Sequence, residues 1–170
     1  MDDLRAHFLE KYGPPEATGW GPRARFAFDY FTPADHYEAY VGRRVDERTR
    51  WLDVGCGRAL FSSDTIARRL SDRCGLLVGL DPDDNLDENP YVHEKVKASL
   101  YDYRTERAFD LVTFNMVVEH ITDPGEVVRV LSKLTAPGGE VVILTVFKWS
   151  PIPIATRLIP FRFHHGFKHM

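Results

Sequence analysis

Residues Trp51 to Phe61, WLDVGCGRALF, constrain this chain more than any other stretch. An apolar, strand-like run leads through Asp53 into a Gly55-Cys56-Gly57 turn, and a helix pattern follows. Glycine lets the backbone turn tightly and approach a ligand with no Cβ in between, while the preceding strand fixes the turn in space. This is the layout of a loop that holds a nucleotide-like cofactor. The acidic residue just before the first glycine narrows the choice of ligand. A dinucleotide-binding turn sets a pyrophosphate against the next helix N-terminus, where an adjacent carboxylate would repel it. Such a turn also expects a third glycine where Leu60 stands. A carboxylate at Asp53 suits a ligand with a cationic amine instead.

Asp53, Gly55 and Gly57, with Ala59 in the place of a third glycine, resemble motif I (D/E-x-G-x-G-x-G) of the class I S-adenosylmethionine (SAM) dependent methyltransferases. The resemblance implies that Asp53, Gly55, Cys56 and Gly57 surround the amino acid end of SAM. Further marks follow in the family's order. The apolar run Leu76–Leu80 stops at Asp81-Pro82, about one βαβ unit after the first strand. A carboxylate there can accept hydrogen bonds from both ribose hydroxyls, so the resemblance places Asp81 and Pro82 at the adenosine. Asp81 to Asn85 also favour a turn for local reasons, and both roles can hold together. Phe109-Asp110-Leu111-Val112 is similar to the family's fourth-strand motif, F-D-x-V, and Asn115 and Met116 follow at the cofactor edge. Val127, Val128, Val130, Leu131 and Leu134 then form a helical stripe, and Pro137-Gly138-Gly139 ends it before a fifth strand over residues 140–147.

The expected fold is therefore α/β: a Rossmann-like, doubly wound, mostly parallel sheet with helices on both faces. Three parts are expected: a helical and aromatic cap over residues 1–48, a SAM-binding core over 49–147 and a tail over 148–170. In the cap, helices are expected over Asp2–Tyr12 and Ala34–Val45. Tyr30, Phe31 and Tyr37 between and within them either line the cofactor or acceptor cavity or pack against the sheet. The third strand, residues 92–98, carries many charges for a buried strand. After it, Ser99 stands where many relatives have an acidic residue for the adenine amino group, leaving backbone groups of Ser99 and Leu100 to hold the base, with Asp102 as an alternative.

Composition sets the remaining bounds. A formal net charge of -3 makes no general electrostatic case for nucleic acid, and no apolar run approaches a membrane span. The acidic N-terminus lacks a signal-peptide pattern, so the cytoplasm is the expected compartment. Cys56 and Cys74 have no metal-ligand or redox spacing. Past the fifth strand the family has a helix and an antiparallel strand pair, which residues 148–170 are too few to supply. This implies a truncated or a naturally short form, with an open apolar edge at strand five and a homodimer formed through that edge or by exchange of the tail. The tail, with a short helix expected near Ile154–Ile159, mixes Lys148, Arg157, Arg162 and Lys168 with aromatic residues. It reads as a cap over the site or, less simply, as a segment that lies on a membrane or lipidic acceptor.

Glu119 and His120 follow strand four, where this fold places its reacting centre, and His120 is the side chain best tuned to take a proton near neutral pH. The resemblance implies SAM-dependent methylation of a small-molecule, sugar-like or lipid acceptor at oxygen, with S-adenosylhomocysteine as product. The alternative is a SAM-binding module without turnover.

Overall fold

Strand β1 (Arg50–Val54) organises the molecule, because it is buried on both faces from Trp51 onwards and pairs in parallel on both sides. In the computed structural model, which describes residues 2–147, it lies at the centre of a five-stranded parallel sheet of order β3-β2-β1-β4-β5. Its neighbours are β2 (Leu76–Leu80) and β4 (Phe109–Asn115), with β3 (Glu94–Val96) and β5 (Thr135–Leu144) outside them. The register sets Asp53 level with Gly79 on one side and Thr113 on the other.

Side chains alternate between the two faces of a strand, so the sheet has two cores. Trp51, Leu77 and Leu111 face helices α3 (Pro33–Arg44) and α4 (Asp64–Arg73), meeting Val41, Ile66 and Leu70. Leu52, Val78, Val112 and Phe114 face the opposite way, towards Leu100, Tyr103 and the Val127 and Leu134 side chains of α5 (Pro124–Leu134). The helix starts are well specified. Ser63 caps α4, Asp123 accepts the Glu126 N–H ahead of Pro124, and Thr32 and Asp35 form a reciprocal capping box on α3.

Helices α1 (Asp2–Tyr12) and α2 (Trp20–Ala27) pack against α3 around Phe8, whose ring meets Tyr12, Phe26 and Phe31. Beside this aromatic cluster lies a set of buried charges. Lys11 Nζ is 2.6 Å from Glu38 and 3.2 Å from Asp35, Arg25 is 3.0 Å from Asp35, and His7 is 3.1 Å from Glu38. Buried charges need partners, and this cluster supplies them between helices distant in sequence. Burial alone would raise the Asp35 carboxyl, but the Thr32 hydroxyl and N–H and the Lys11 ammonium outweigh it and hold the carboxyl at about 2.

Several elements differ from the sequence reading. Helix α2 lies between the two expected cap helices, where no helix is expected from the sequence; its Pro22 falls in the first turn, where proline is tolerated. Strand β3 has only three residues, consistent with a charged edge strand. Strand β5 starts at Thr135, directly after α5, and ends at Leu144. Thr135 pairs with Phe109 and Glu140 with Leu111, so Ala136 to Gly139 bulge out opposite a single residue of β4. Gly139 is required in that bulge, since a Cβ there would sit 2.9 Å from the Phe109 carbonyl oxygen. On β5, Val142 and Leu144 pack on the α3 side of the sheet, while Ile143 on the other face is 49% exposed. The expected tail and its short helix lie outside the described residues.

Lys11→Met leaves the Asp35 and Glu38 carboxylates without their shared ammonium. Urea unfolding at pH 7.5 is expected to show a loss of about 3 kcal/mol. The loss shrinks towards pH 3, because Asp35, no longer held down by Lys11, then takes up a proton in the variant.

Candidate cofactor site

The strand order reverses between β1 and β4, and the ends of β1, β2 and β4 form the crevice in which open α/β sheets bind ligands. The glycine turn sits at its mouth. Gly55 has φ +69°, its N–H donates to the Leu80 carbonyl at 2.7 Å, and a Cβ there would collide with the Val117 side chain. Gly57 has φ +48°, and its N–H donates to Asp81 Oδ2 at 2.9 Å. The Asp83 N–H donates to Asp81 Oδ1 at 2.8 Å, so this carboxylate joins the glycine turn to the end of β2. Each carboxylate oxygen has a second lone pair, which leaves Asp81 able to accept from ribose hydroxyls as well.

Cys56 tucks beneath the turn, into space that exists because position 79 is glycine: a Cβ on Gly79 would lie 2.7 Å from Cys56 Sγ. Burial pushes the Cys56 thiol up, which makes it an inert filler. The Asn89 amide, fully buried, donates to the carbonyl of Gly57 at 3.0 Å and fastens the turn from below. Arg58 reaches Asn85 at 2.5 Å across the same loops. Sequence reasoning missed both: Asn89 belongs to no motif or periodic pattern, and Arg58 fills a variable position of the glycine motif.

Asp53 lies under the turn and is only 4% exposed. Its carboxyl is pushed up to about 7, first by burial and then by the Asp81 charge, against the opposing hydrogen bond of Thr113. The Thr113 hydroxyl is 2.5 Å from Asp53 Oδ1 and is its one hydrogen-bond donor among the described residues. A buried carboxylate with a single donor is poorly compensated as an anion, and a cationic amine supplies what is lacking.

A cleft of about 200 Å³ opens beside the turn. Gly55, Pro82, Ser99, Leu100 and His120 line it, together with Leu80, Tyr101, Val117 and Val127. Its walls are largely apolar, as a purine requires. Asp53, Cys56, Gly57 and Asp81 belong to the turn and its supports, whereas Asn115 and Met116 end β4. Met116 has φ +59°, a left-handed conformation uncommon outside glycine, and its N–H donates to the Leu144 carbonyl at 2.8 Å. The Ser99 hydroxyl donates to Asp102 Oδ2 at 2.5 Å, so these two side chains satisfy each other within a turn. Glu119 and His120 diverge: His120 borders the cleft, while Glu119 accepts from the Thr145 hydroxyl at 3.0 Å. Of the cap aromatics, Tyr37 is buried among Trp51 and Phe61, Phe31 packs on Phe8, and Tyr30 is exposed.

The fold is an open parallel α/β sheet whose glycine turn is tied to Asp81 and follows directly on the buried Asp53, an arrangement that would fit the adenosine and amine of SAM. A family profile described as "Methyltransferase domain" matches residues 22–170. The ubiquinone biosynthesis O-methyltransferase of Caulobacter sp. (strain K31) is 31% identical over 161 residues, covering 81% of this chain and 62% of that protein. The enzyme of the same name from Photorhabdus laumondii is 34% identical over 104 residues, covering 56% and 42%. This chain thus spans roughly half the length of such relatives. Among solved structures, YcgJ from Bacillus subtilis superposes with a TM-score of 0.56 at 15% identity, covering 69% of this chain and 53% of that one. The DhpI-SAM-HEP complex gives 0.50 at 19% identity, covering 92% and 68%. The chain belongs to the class I SAM-dependent methyltransferase family.

Because folding raises the Asp53 pKa, the ionised side chain burdens the ligand-free fold fully above about pH 7 and not below about pH 4. Asp53→Asn keeps an acceptor for Thr113 and removes the charge. Urea unfolding of the ligand-free variant at pH 8 is expected to show a gain on the order of 2 kcal/mol that disappears towards pH 4. An unchanged unfolding midpoint at pH 8 would contradict the assignment.

Proposed function

We propose that this chain binds SAM in the cleft and transfers its methyl group to an oxygen of a small-molecule, sugar-like or lipid acceptor. The observation that carries the proposal is the pairing of Asp53 and Asp81 about one glycine turn beside an apolar cleft. In this reading Asp53 meets the ligand amine, Asp81 accepts from the ribose, and Pro82 and Leu100 flank the base. When bound, SAM would supply a methyl group on a cationic sulfur, so that the methyl–oxygen bond to the acceptor forms as the methyl–sulfur bond breaks and a neutral thioether is released. The protein's part is to align the acceptor, exclude water and remove the proton from its hydroxyl. His120, at the border of the cleft, takes that proton on an imidazole nitrogen. The O-methyltransferase names carried by relatives support transfer at oxygen.

Calorimetric titration with SAM and with S-adenosylhomocysteine tests the cofactor assignment, and micromolar binding is expected. Absence of binding to both ligands would refute it. Transfer from methyl-labelled SAM into an extract then separates an enzyme from a binding module, because a module binds without labelling anything. His120→Ala is expected to lower kcat about a hundredfold while changing cofactor affinity less than about threefold. An unaltered kcat would remove His120 from the mechanism.

A further inference from the structure

The fully buried hydroxyl of Thr113, at this end of the sheet, has no role in the proposed function. It lies mid-strand between Val112 and Phe114, on the same face as Trp51 and Asp53. Parallel pairing puts Thr113 directly beside Asp53, and Trp51, two residues earlier on β1, shares their face. The Trp51 indole N–H donates to the Thr113 oxygen at 2.6 Å, and the Thr113 oxygen stands 2.5 Å from Asp53 Oδ1. A threonine hydroxyl has one proton and two lone pairs. The indole cannot accept a hydrogen bond, so the hydroxyl proton is available to the carboxylate, and the shorter of its two acceptor contacts is the one to Asp53 rather than the 3.5 Å contact to the Leu52 carbonyl. The phenol of Tyr37, from α3, is buried close enough to feel the Asp53 charge.

We propose that Thr113 is a positioning residue of the cofactor site, whose hydroxyl holds the Asp53 carboxylate in its ionised, amine-binding form. The proposal rests on the assignment of the cleft to SAM. Trp51 orients the hydroxyl by donating to it, which directs the proton towards Asp53 Oδ1 and leaves Oδ2 for the ligand. Removing the hydroxyl takes away the one donor Asp53 has among the described residues, and the carboxyl then holds its proton to higher pH. The groups facing Asp53 are the Asp81 carboxylate after β2, the Cys56 thiol in the turn and the Tyr37 phenol on α3, with Glu38 behind it. Lys95 on β3 acts on Cys56 from further away. Burial pushes both Cys56 and Tyr37 above their ordinary ranges, so neither gains charge near neutral pH.

The test is calorimetric titration of the full chain with S-adenosylhomocysteine from pH 5.5 to 8.5. Its readout is the pH dependence of affinity, which a merely structural residue does not move. Wild-type affinity is expected to climb with pH and level off above about 7. Thr113→Val, nearly isosteric but without a donor, is expected to bind at least about tenfold more weakly at pH 7, with its climb displaced upwards. Thr113→Ser is expected to follow the wild type. Thr113→Cys keeps the volume and a weaker donor, and an intermediate displacement is expected of it, which preserves the test if the valine variant does not fold. A valine or cysteine curve superimposed on the wild type would overturn the role of Thr113, as would a wild-type affinity constant over this range. Failure of the wild type to bind at any pH would instead refute the cofactor assignment beneath it.

Discussion

Burying a carboxylate at the end of a central strand costs free energy that only a hydrogen-bond donor or a cation recovers, and Asp53 is in that position. Its place follows from the pairing of β1 between β2 and β4. That pairing also brings Thr113 alongside Asp53 and sets Gly79 opposite, where the missing side chain leaves room for Cys56 and the turn above it. A slip of one residue in either ladder would send Asp53 to the other face of the sheet, where Val78, Val112 and Phe114 pack. The ligand end therefore depends on sheet register as much as on the residues of the turn.

The second carboxylate, Asp81, is used differently. It is nearly buried as well, but it accepts two backbone N–H groups, one from the turn and one from the residues after β2. Two backbone donors suit an anion without any ligand, whereas among the described residues a single hydroxyl donates to Asp53. In the proposed reading the contrast divides the labour: Asp81 shapes the loops before a cofactor arrives, and Asp53 is the group whose environment a cationic ligand would complete. Helix α3 links this region to the rest of the cap. Tyr37 packs with Trp51 and Phe61 close to the Asp53 charge, and Glu38, one residue on, joins the buried charges of α1.

Much of this was legible in the sequence because motifs report local backbone needs. Gly55 and Gly57 stand at positive φ, Asp81 ends β2, and the valine stripe after Asp123 does form a helix. What escaped depends on contacts between distant residues. Thr113 reads as an ordinary strand former until the register puts it beside Asp53. Asn89 lies between an acidic residue and a proline with no pattern to mark it, although it anchors the turn. Pro137-Gly138-Gly139 reads as a helix stop followed by a fresh strand, but pairing with β4 begins earlier and absorbs these residues as a bulge. The buried cluster of Lys11, Asp35 and Glu38 was hidden for a similar reason, since each charge alone resembles a solvated helix residue.

A crystal structure of the chain with S-adenosylhomocysteine bound tests the central claim most directly. The account predicts the ligand amine within about 3 Å of Asp53, with the Thr113 hydroxyl still on the other carboxylate oxygen and the base between Pro82 and Leu100. An amine directed to solvent, with Asp53 contacted by Thr113 alone, would contradict it.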